Sequence, residues 1–193
     1  MRVTYFNYEW DLGASTGSET QIRETTAGLE RLGHQVLVVH RHRKPVHQNG
    51  SGSRRYIHRW GWEAANHLRS LRGVPIEIEI LRRQKPDAVL TFHGLRFSSV
   101  LAARRLEIPV VLQVNASVPE EIRRFHPEMR LLPGISDWIE RRMMAAADGM
   151  VVVSTMLRDC FLRWGLRPER LTVAPNGADP ERFRPEAADP DLR

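Results

Sequence analysis

Two stretches of this sequence carry polar residues that could bind an anion or transfer a proton. The first is Ser15–Glu19, with the sequence Ser-Thr-Gly-Ser-Glu, which stands directly before a helical pattern. Free N–H groups at a helix start, together with the helix dipole, attract anions, and Gly17 would let a ligand approach the backbone closely. An ordinary capped helix start, with Ser15 or Thr16 as the cap, explains the same residues. The stretch lacks the G-x-G-x-x-G pattern of dinucleotide sites.

The second set consists of polar residues that directly follow predicted strands. Because the carboxyl ends of parallel strands line the ligand crevice of an α/β sheet, His93 is a candidate for that site. Asn115 directly follows the next predicted strand. His93 could donate a hydrogen bond to a hydroxyl or transfer a proton, or it could simply be a polar residue at a strand end. Asn115 can bind a hydroxyl but cannot transfer protons near neutral pH, and a turn-shaping role is the alternative.

A charged cluster follows the strand that precedes Asn115. Paired arginines can clamp a phosphate or a carboxylate, and a solvated helix face explains the cluster equally well. Its members are Glu120, Glu121, Arg123, Arg124 and His126. The histidines between positions 40 and 67 lack the tight spacing of a zinc site, so we predict no metal.

The elements that must position these residues alternate between strand and helix. Strands are predicted at 1–7, 35–40, 88–92, 110–114, 150–153 and 171–174, and helices at 19–32, 63–83, 95–106, 135–147 and 155–164, with a partly helical stretch at 120–132. Gly33 and Ser154 are the predicted end and cap of two helices. The alternation predicts a doubly wound, mostly parallel α/β sheet. The apolar run Val36–Val39 predicts a strand that is buried on both faces.

Two breaks in the pattern are predicted. Residues 41–61 are basic and rich in Gly and Ser, which predicts a mobile loop, and Trp60 and Trp62 stand at its end. This loop could cross the cleft or contact a membrane surface. Contact with nucleic acid is disfavoured because no nucleic-acid fold motif accompanies the loop. Pro133-Gly134 is predicted to separate two helices.

Composition limits the class of protein. The chain has 193 residues, of which 41% are hydrophobic, and a formal charge of +6, which suits one folded domain with an arginine-rich surface. Its single cysteine, Cys160, excludes an internal disulfide, indicates a reducing compartment and is predicted to be a buried thiol. We find neither a signal peptide nor an apolar run of roughly 20 residues, so we expect a cytoplasmic protein.

The end of the sequence resembles the GT-B glycosyltransferases of family 4. Their first domain closes with V-x-P-N-G-V-D-x-x-x-F-x-P, and this chain departs from the core of that pattern only at Ala178. The matching residues are Val173, Pro175, Asn176, Gly177, Asp179, Phe183 and Pro185. Gly33-His34 and the stretch from Ala147 to Ser154 also match family patterns. Thr16 replaces the first glycine of a G-G-x-E loop, and Asn115 replaces a common histidine.

The resemblance implies half of a retaining enzyme that transfers a sugar from a nucleotide-sugar donor to an acceptor hydroxyl. Residues 1–174 would be a Rossmann-like acceptor-binding domain with helices on both faces of its sheet, and 175–193 a linker to a donor-binding domain. His93 is the candidate catalytic residue, and the donor is a substrate and not a cofactor. Peripheral contact with the inner face of the membrane is one alternative for the basic loop at 41–61. The residues expected to bind acceptor or phosphate are Thr16, Gly17, Ser18, Glu19, His93, Asn115, Arg123 and Arg124.

Two alternatives stay open from the sequence. The chain could be a stand-alone sugar- or phosphate-binding module, or a subunit of a split transferase, without chemistry of its own. It could also be a nucleotide-binding α/β protein of another family, such as an epimerase, although the missing G-x-G-x-x-G pattern disfavours this.

Overall fold

A computed structural model of the chain describes residues 1–8, 17–40, 52–94, 96–117, 120, 124 and 132–177. Six parallel strands form one sheet in the order β2-β1-β3-β4-β5-β6. They are β1 (Arg2–Asn7), β2 (Gln35–His40), β3 (Ala88–Phe92), β4 (Val110–Val114), β5 (Gly149–Val152) and β6 (Leu171–Val173). The predicted doubly wound, Rossmann-like α/β fold is therefore confirmed.

Five α-helices with described bounds lie between these strands: α1 (Gly17–Arg31), α2 (Gly52–Gln84), α3 (Ser98–Arg105), α4 (Leu132–Ala146) and α5 (Thr155–Arg163). A 3-10 turn, Pro168–Arg170, precedes β6. Parallel crossovers are right-handed, and α1 alone connects strands in the direction opposite to the other four helices. This handedness places α1 on one face of the sheet and α2 to α5 on the other.

Alternating strand residues feed a separate apolar core on each face. Tyr5, Ile22 and Phe92 form the small core under α1. The larger core on the opposite face includes Phe6, Val89 and residues of β4, β5 and α5. Because side chains alternate along a strand, these two cores also tell which face of the sheet the last residues of each strand lie on.

The helix α2 differs from its prediction. It begins at Gly52, so the predicted loop is wrong from that residue onward, and residues 41–51 lie outside the described part of the chain. Gly and Ser occupy only its first turn, and the arginines that follow are good helix formers, so the charge of this stretch did not preclude a helix.

The helix α4 also begins earlier than predicted. It includes Pro133 and Gly134, which we expected to separate two helices. Proline is favoured in a first helical turn because its missing N–H would have no partner there. Within the predicted 120–132 stretch, Glu120 and Arg124 are helical, Leu132 begins α4, and the other residues lie outside the description.

Two further expectations are corrected by burial. Strand β2 lies at the edge of the sheet, and Leu37 is 40% exposed, so the Val36–Val39 run is not buried on both faces. An apolar run predicts a strand without fixing its place in the sheet. Cys160 is a free thiol that is only partly buried. The predicted helix end at Gly33, with φ of 81°, and the cap at Ser154, which accepts from the Leu157 N–H, are confirmed.

None of the helices in the described residues is long and apolar enough to cross a bilayer.

Candidate functional site

The sheet order places the candidate site at the carboxyl ends of β1, β3 and β4. The chain leaves β1 for β2 on one side and reaches β3 on the other, so the topological switch point lies between β1 and β3. A crevice opens at such a point in α/β sheets, and ligands bind there. His93 directly follows β3, and Asn115 directly follows β4.

His93 is held by a buried carboxylate from α4. Its Nε2 lies 2.7 Å from Glu140 Oε1, and the two side chains are 2% and 3% exposed. Ser117, just beyond β4, donates its hydroxyl to Glu140 Oε2 at 2.8 Å. An ionised Glu140 could only accept, so Nε2 would then be the donor, and a neutral His93 ring would have Nδ1 left as its acceptor.

A small cavity lies beside this histidine. Its volume is about 10 Å³, the room that one water needs. Among the described residues, neither His93 Nδ1 nor Ser136 Oγ has a hydrogen-bond partner, although both atoms are buried. A water or a hydroxyl group could satisfy these atoms. The lining residues are His67, His93, Gly94, Ser136, Ile139, Glu140 and Met143.

Asn115 belongs to a different network, on the α1 face of the sheet. Its side-chain amide donates to Gln21 Oε1, and Gln21 Nε2 donates to Asn176 Oδ1 at 2.9 Å. Gln21 therefore connects α1 to the end of β4 and to the Asn176-Gly177 turn. Deeper in the same face, Tyr5 donates to Gln113, and burial raises the pKa of this phenol above its ordinary value.

A second buried carboxylate lies where α2 packs on α3. Ser98 donates to Glu77 Oε1 at 2.9 Å, and the Ser99 N–H donates to the Tyr8 hydroxyl at 3.0 Å. Glu77 is fully buried. Burial raises the pKa of the Tyr8 phenol, and the Glu77 charge raises it further. This cluster joins the end of β1 to the start of α3.

The structure separates the predicted site residues. His93 and Asn115 take part in separate networks on opposite faces of the sheet. Gly17 is the exposed first residue of α1, which keeps it at a helix start, and Ser18 and Glu19 occupy the same turn. Thr16, Arg123 and the side chains of Ser18 and Glu19 lie outside the described residues, and Arg124 is an exposed helical residue.

Sequence reasoning missed Glu140, Ser117 and Gln21. Glu140 had a usable signal, because it shares a helix face with buried residues at the preceding and following turns, Ser136, Met143 and Met144. A carboxylate on such a face must find a partner inside the protein. Ser117 and Gln21 had no comparable signal, because each is an ordinary polar residue in a loop or helix.

The sequence matches the model of one protein family, Glycosyltransferase Family 4, over residues 15–182. A curated relative, alpha-monoglucosyldiacylglycerol synthase of Streptococcus pneumoniae, is 24% identical over 182 residues, which cover 92% of this chain and 41% of the relative. The chain thus spans about two fifths of the length of that relative.

Solved structures share the fold at low identity. A glycosyltransferase from Rickettsia africae superposes with a TM-score of 0.57 at 15% identity, covering 99% of this chain and 47% of its own. The UDP-GlcNAc 2-epimerase of Methanocaldococcus jannaschii, solved with UDP-GlcNAc and UDP, gives 0.53 at 16% identity, covering 90% of this chain and 46% of its own. Since both a transferase and an epimerase match, these likenesses establish the fold alone.

Proposed function

Because the chain belongs to Glycosyltransferase Family 4, we propose that it is the acceptor-binding, N-terminal part of a glycosyltransferase. The enzyme would transfer a sugar from a nucleotide-sugar donor to an acceptor hydroxyl, with retention at the anomeric carbon. The observation that carries this proposal is the His93–Glu140–Ser117 arrangement at the topological switch point. A histidine fixed by a buried carboxylate beside a cavity is the arrangement that general base catalysis needs.

His93 is proposed to receive the acceptor. With Nε2 committed to Glu140, Nδ1 can accept a hydrogen bond from the acceptor hydroxyl and take its proton as the acceptor oxygen bonds to the anomeric carbon. The bond from that carbon to the donor diphosphate breaks in the same step, and retention requires the acceptor to enter on the face from which the diphosphate leaves. Glu140 fixes the ring orientation and tautomer and stabilises the imidazolium that results. Ser117 holds the second carboxylate oxygen, which limits rotation of Glu140.

The donor phosphates are proposed to lie at the start of α1. The N–H groups of that turn and the helix dipole favour the negative charge that develops on the leaving diphosphate. Thr16, Gly17, Ser18 and Glu19 form this junction, and Arg123 and Arg124 are proposed to add positive charge. Asn115, held by Gln21, would bind a sugar hydroxyl.

The remaining parts of the proposal rest on the relative. Because this chain spans 41% of that enzyme, we propose that a further domain, joined through residues 175–193, binds the donor. The name of the relative refers to a diacylglycerol lipid, which supports a lipid hydroxyl as the class of acceptor. A cytoplasmic protein at the inner face of the membrane would meet such an acceptor.

The test is a transfer and hydrolysis assay with a panel of nucleotide sugars and lipid acceptors, on this chain and on the chain extended by the downstream domain. Activity in the extended protein alone is the expected result. Turnover by these 193 residues alone would contradict the need for a second domain. If both proteins bind sugars or phosphates but transfer nothing, the stand-alone binding module is the better description.

A further inference from the structure

Three side-chain amides are linked in series on the α1 face of the sheet. Gln21 Nε2 donates to Asn176 Oδ1 at 2.9 Å, and Gln21 Oε1 accepts from the side-chain amide of Asn115. Both ends of the Gln21 amide are therefore engaged, and each amide in the series is oriented by its neighbour. We name Asn176, Gln21 and Asn115 the amide relay.

The inner end of the relay is an unsatisfied oxygen. The Asn115 nitrogen donates to Gln21, and Asn115 Oδ1 is buried without a hydrogen-bond partner among the described residues. A buried oxygen that lacks a donor is costly, and in a native protein it calls for an explanation. With the relay in place, Asn115 offers an acceptor, so the ligand group that suits it is a hydrogen-bond donor such as a hydroxyl.

The outer end of the relay lies at the surface, beyond β6. Asn176 is exposed, and residues 175–177 belong to no helix or strand. Gln21 is partly buried in the second turn of α1, and Asn115 directly follows β4. A displacement of residues 175–177 would break the bond between Gln21 and Asn176 and leave the sheet intact. The Gln21 amide would then lose the contact that fixes its orientation, and Asn115 would lose its own in turn.

We propose that Gln21 is a positioning residue, which keeps the Asn115 oxygen available to accept from a sugar hydroxyl for as long as Asn176 holds Gln21 in place. The position of the segment after β6 thereby affects what the end of β4 can bind. The sugar contact rests on the proposed function. The relay itself is a property of this chain, and it can be measured without any substrate.

A neighbouring contact of α1 supplies a matched control. One turn after Gln21, Thr25 Oγ1 accepts from Gln113 Nε2 at 3.3 Å, and Gln113 accepts from the buried Tyr5 phenol. This link joins the same helix to the same strand without contacting Asn115. Thr25→Val removes the acceptor and keeps the shape of the side chain, so it should loosen the packing of α1 on β4 without changing the relay.

The experiment is NMR measurement of solvent exchange at the Asn115 side-chain amide, on the isotope-labelled chain and its variants. A proton that is held in a hydrogen bond exchanges more slowly than one that is not. Gln21→Leu should speed this exchange by roughly 3- to 10-fold, the effect of one hydrogen bond. Asn176→Ala should speed it in the same direction by a smaller factor, and Thr25→Val should leave it unchanged.

Conservative variants test the direction of the relay. Gln21→Glu can still accept from Asn115, and Asn176→Asp can still accept from Gln21, so both should keep the slow exchange. If Asn176→Asp speeds exchange as much as Asn176→Ala does, the assigned orientation of Asn115 is wrong. The relay is overturned if Asn176→Ala has no effect, or if Thr25→Val acts as strongly as Gln21→Leu.

Kinetics of the chain extended by the proposed donor-binding domain test the sugar contact. Gln21→Leu and Asn176→Ala should raise the KM for the nucleotide sugar by roughly 3- to 10-fold and leave kcat nearly unchanged, because neither substitution alters His93. An unchanged KM beside faster amide exchange would overturn the sugar contact. Absence of turnover in the unaltered extended chain would contradict the proposed function instead, and the exchange measurement would still decide whether the relay exists.

Discussion

Two buried glutamates lie near the carboxyl edge of the sheet, and they differ in what surrounds them. Glu77 lies between α2 and α3, where an added Cβ on Gly73 would lie 3.0 Å from Ser98 Oγ and 3.3 Å from Glu77 Oε1. Glu140 instead faces His93 and lines a cavity. Both carboxylates bear the cost of leaving water, which must be offset by hydrogen bonds. The contrast indicates that Glu77 joins helices, whereas Glu140, under the proposed function, fixes the ring of a histidine that binds a ligand.

Removing the histidine is the most direct test of the difference between Glu77 and Glu140. In the chain extended by the proposed donor-binding domain, His93→Gln should lower kcat by about 10² to 10⁴-fold, because the proposed proton acceptor is lost. Glutamine can still donate to Glu140, so the carboxylate keeps a partner and the melting temperature should change little. Steady-state kinetics with thermal melts as the control measures both.

The control variant on the other cluster is Tyr8→Phe, which should leave kcat unchanged and cost about 1 kcal/mol of unfolding free energy. A transferase that keeps full kcat with His93→Gln would exclude His93 from the chemistry.

The two carboxylates themselves give the next largest effect. Glu140→Gln should lower kcat by roughly 100-fold, because an amide no longer fixes the ring tautomer or stabilises the imidazolium. The pH dependence of kcat should change with it. Glu77→Gln should instead lower the free energy of unfolding by about 1 to 3 kcal/mol and leave the pH profile in place.

Denaturant unfolding alongside kcat–pH profiles separates these outcomes. If both variants lose the same stability and both keep kcat, Glu140 and Glu77 do not differ in role, since Glu140 would then be a second structural carboxylate.

The sequence alone predicted the strands and the polar residues that follow them at this edge of the sheet. Apolar runs predicted the strands, the rule that ligands bind at strand ends selected His93, and the family resemblance selected Asn115. Strand alternation then separates the two residues, since His93 extends toward α4 and Asn115 toward α1. That separation follows from which helix covers which face, a property of the whole topology.

The partners could not be read in the same way. Glu140 is 47 residues from His93, and Gln21 is 94 residues from Asn115. Local pattern predicts elements, but such pairs depend on how helices pack over the sheet. The early start of α2 and the edge position of β2 were missed for the same reason, because tertiary context decides whether an arginine-rich stretch is helical and which strand is outermost.

A third prediction tests the packing of α2 on α3 around Glu77. Gly73→Ala should lower the free energy of unfolding by about 1 to 3 kcal/mol, because the new methyl group would press on Ser98 and Glu77 in a packed interface. Gly28→Ala is the matched control. Its added Cβ would meet only Arg31, at 4.0 Å, so the substitution should be neutral or stabilise the protein by about 0.5 to 1 kcal/mol.

Urea unfolding of both variants measures the difference. Equal effects at the two glycines would mean that the α2–α3 contact is looser than its distances indicate.

The smallest expected effect is the alkaline titration of the Glu77 cluster. The folded-state pKa of Tyr8 is raised above its ordinary value of 10.0, by burial first and by the Glu77 charge second. A raised folded pKa means that the folded state holds its proton more tightly than the unfolded chain. The stabilisation is therefore complete well below pH 10.0 and declines as the pH rises through that value, where the unfolded phenol ionises first. Between about pH 9.5 and 10.5 the loss is about 0.7 kcal/mol per buried phenol.

Urea unfolding at these two pH values, on the unaltered chain and on Tyr8→Phe, isolates this one group, because Tyr5 and the remaining ionisable residues are common to both proteins. The unaltered chain should lose about 0.7 kcal/mol more than the variant over this interval. An identical pH slope in the two proteins would mean that the Tyr8 phenol ionises as readily in the folded state as in the unfolded one. Glu77 would then lie in a hydrated region, and the distinction between a dry structural carboxylate and one that faces a cavity would have to be abandoned.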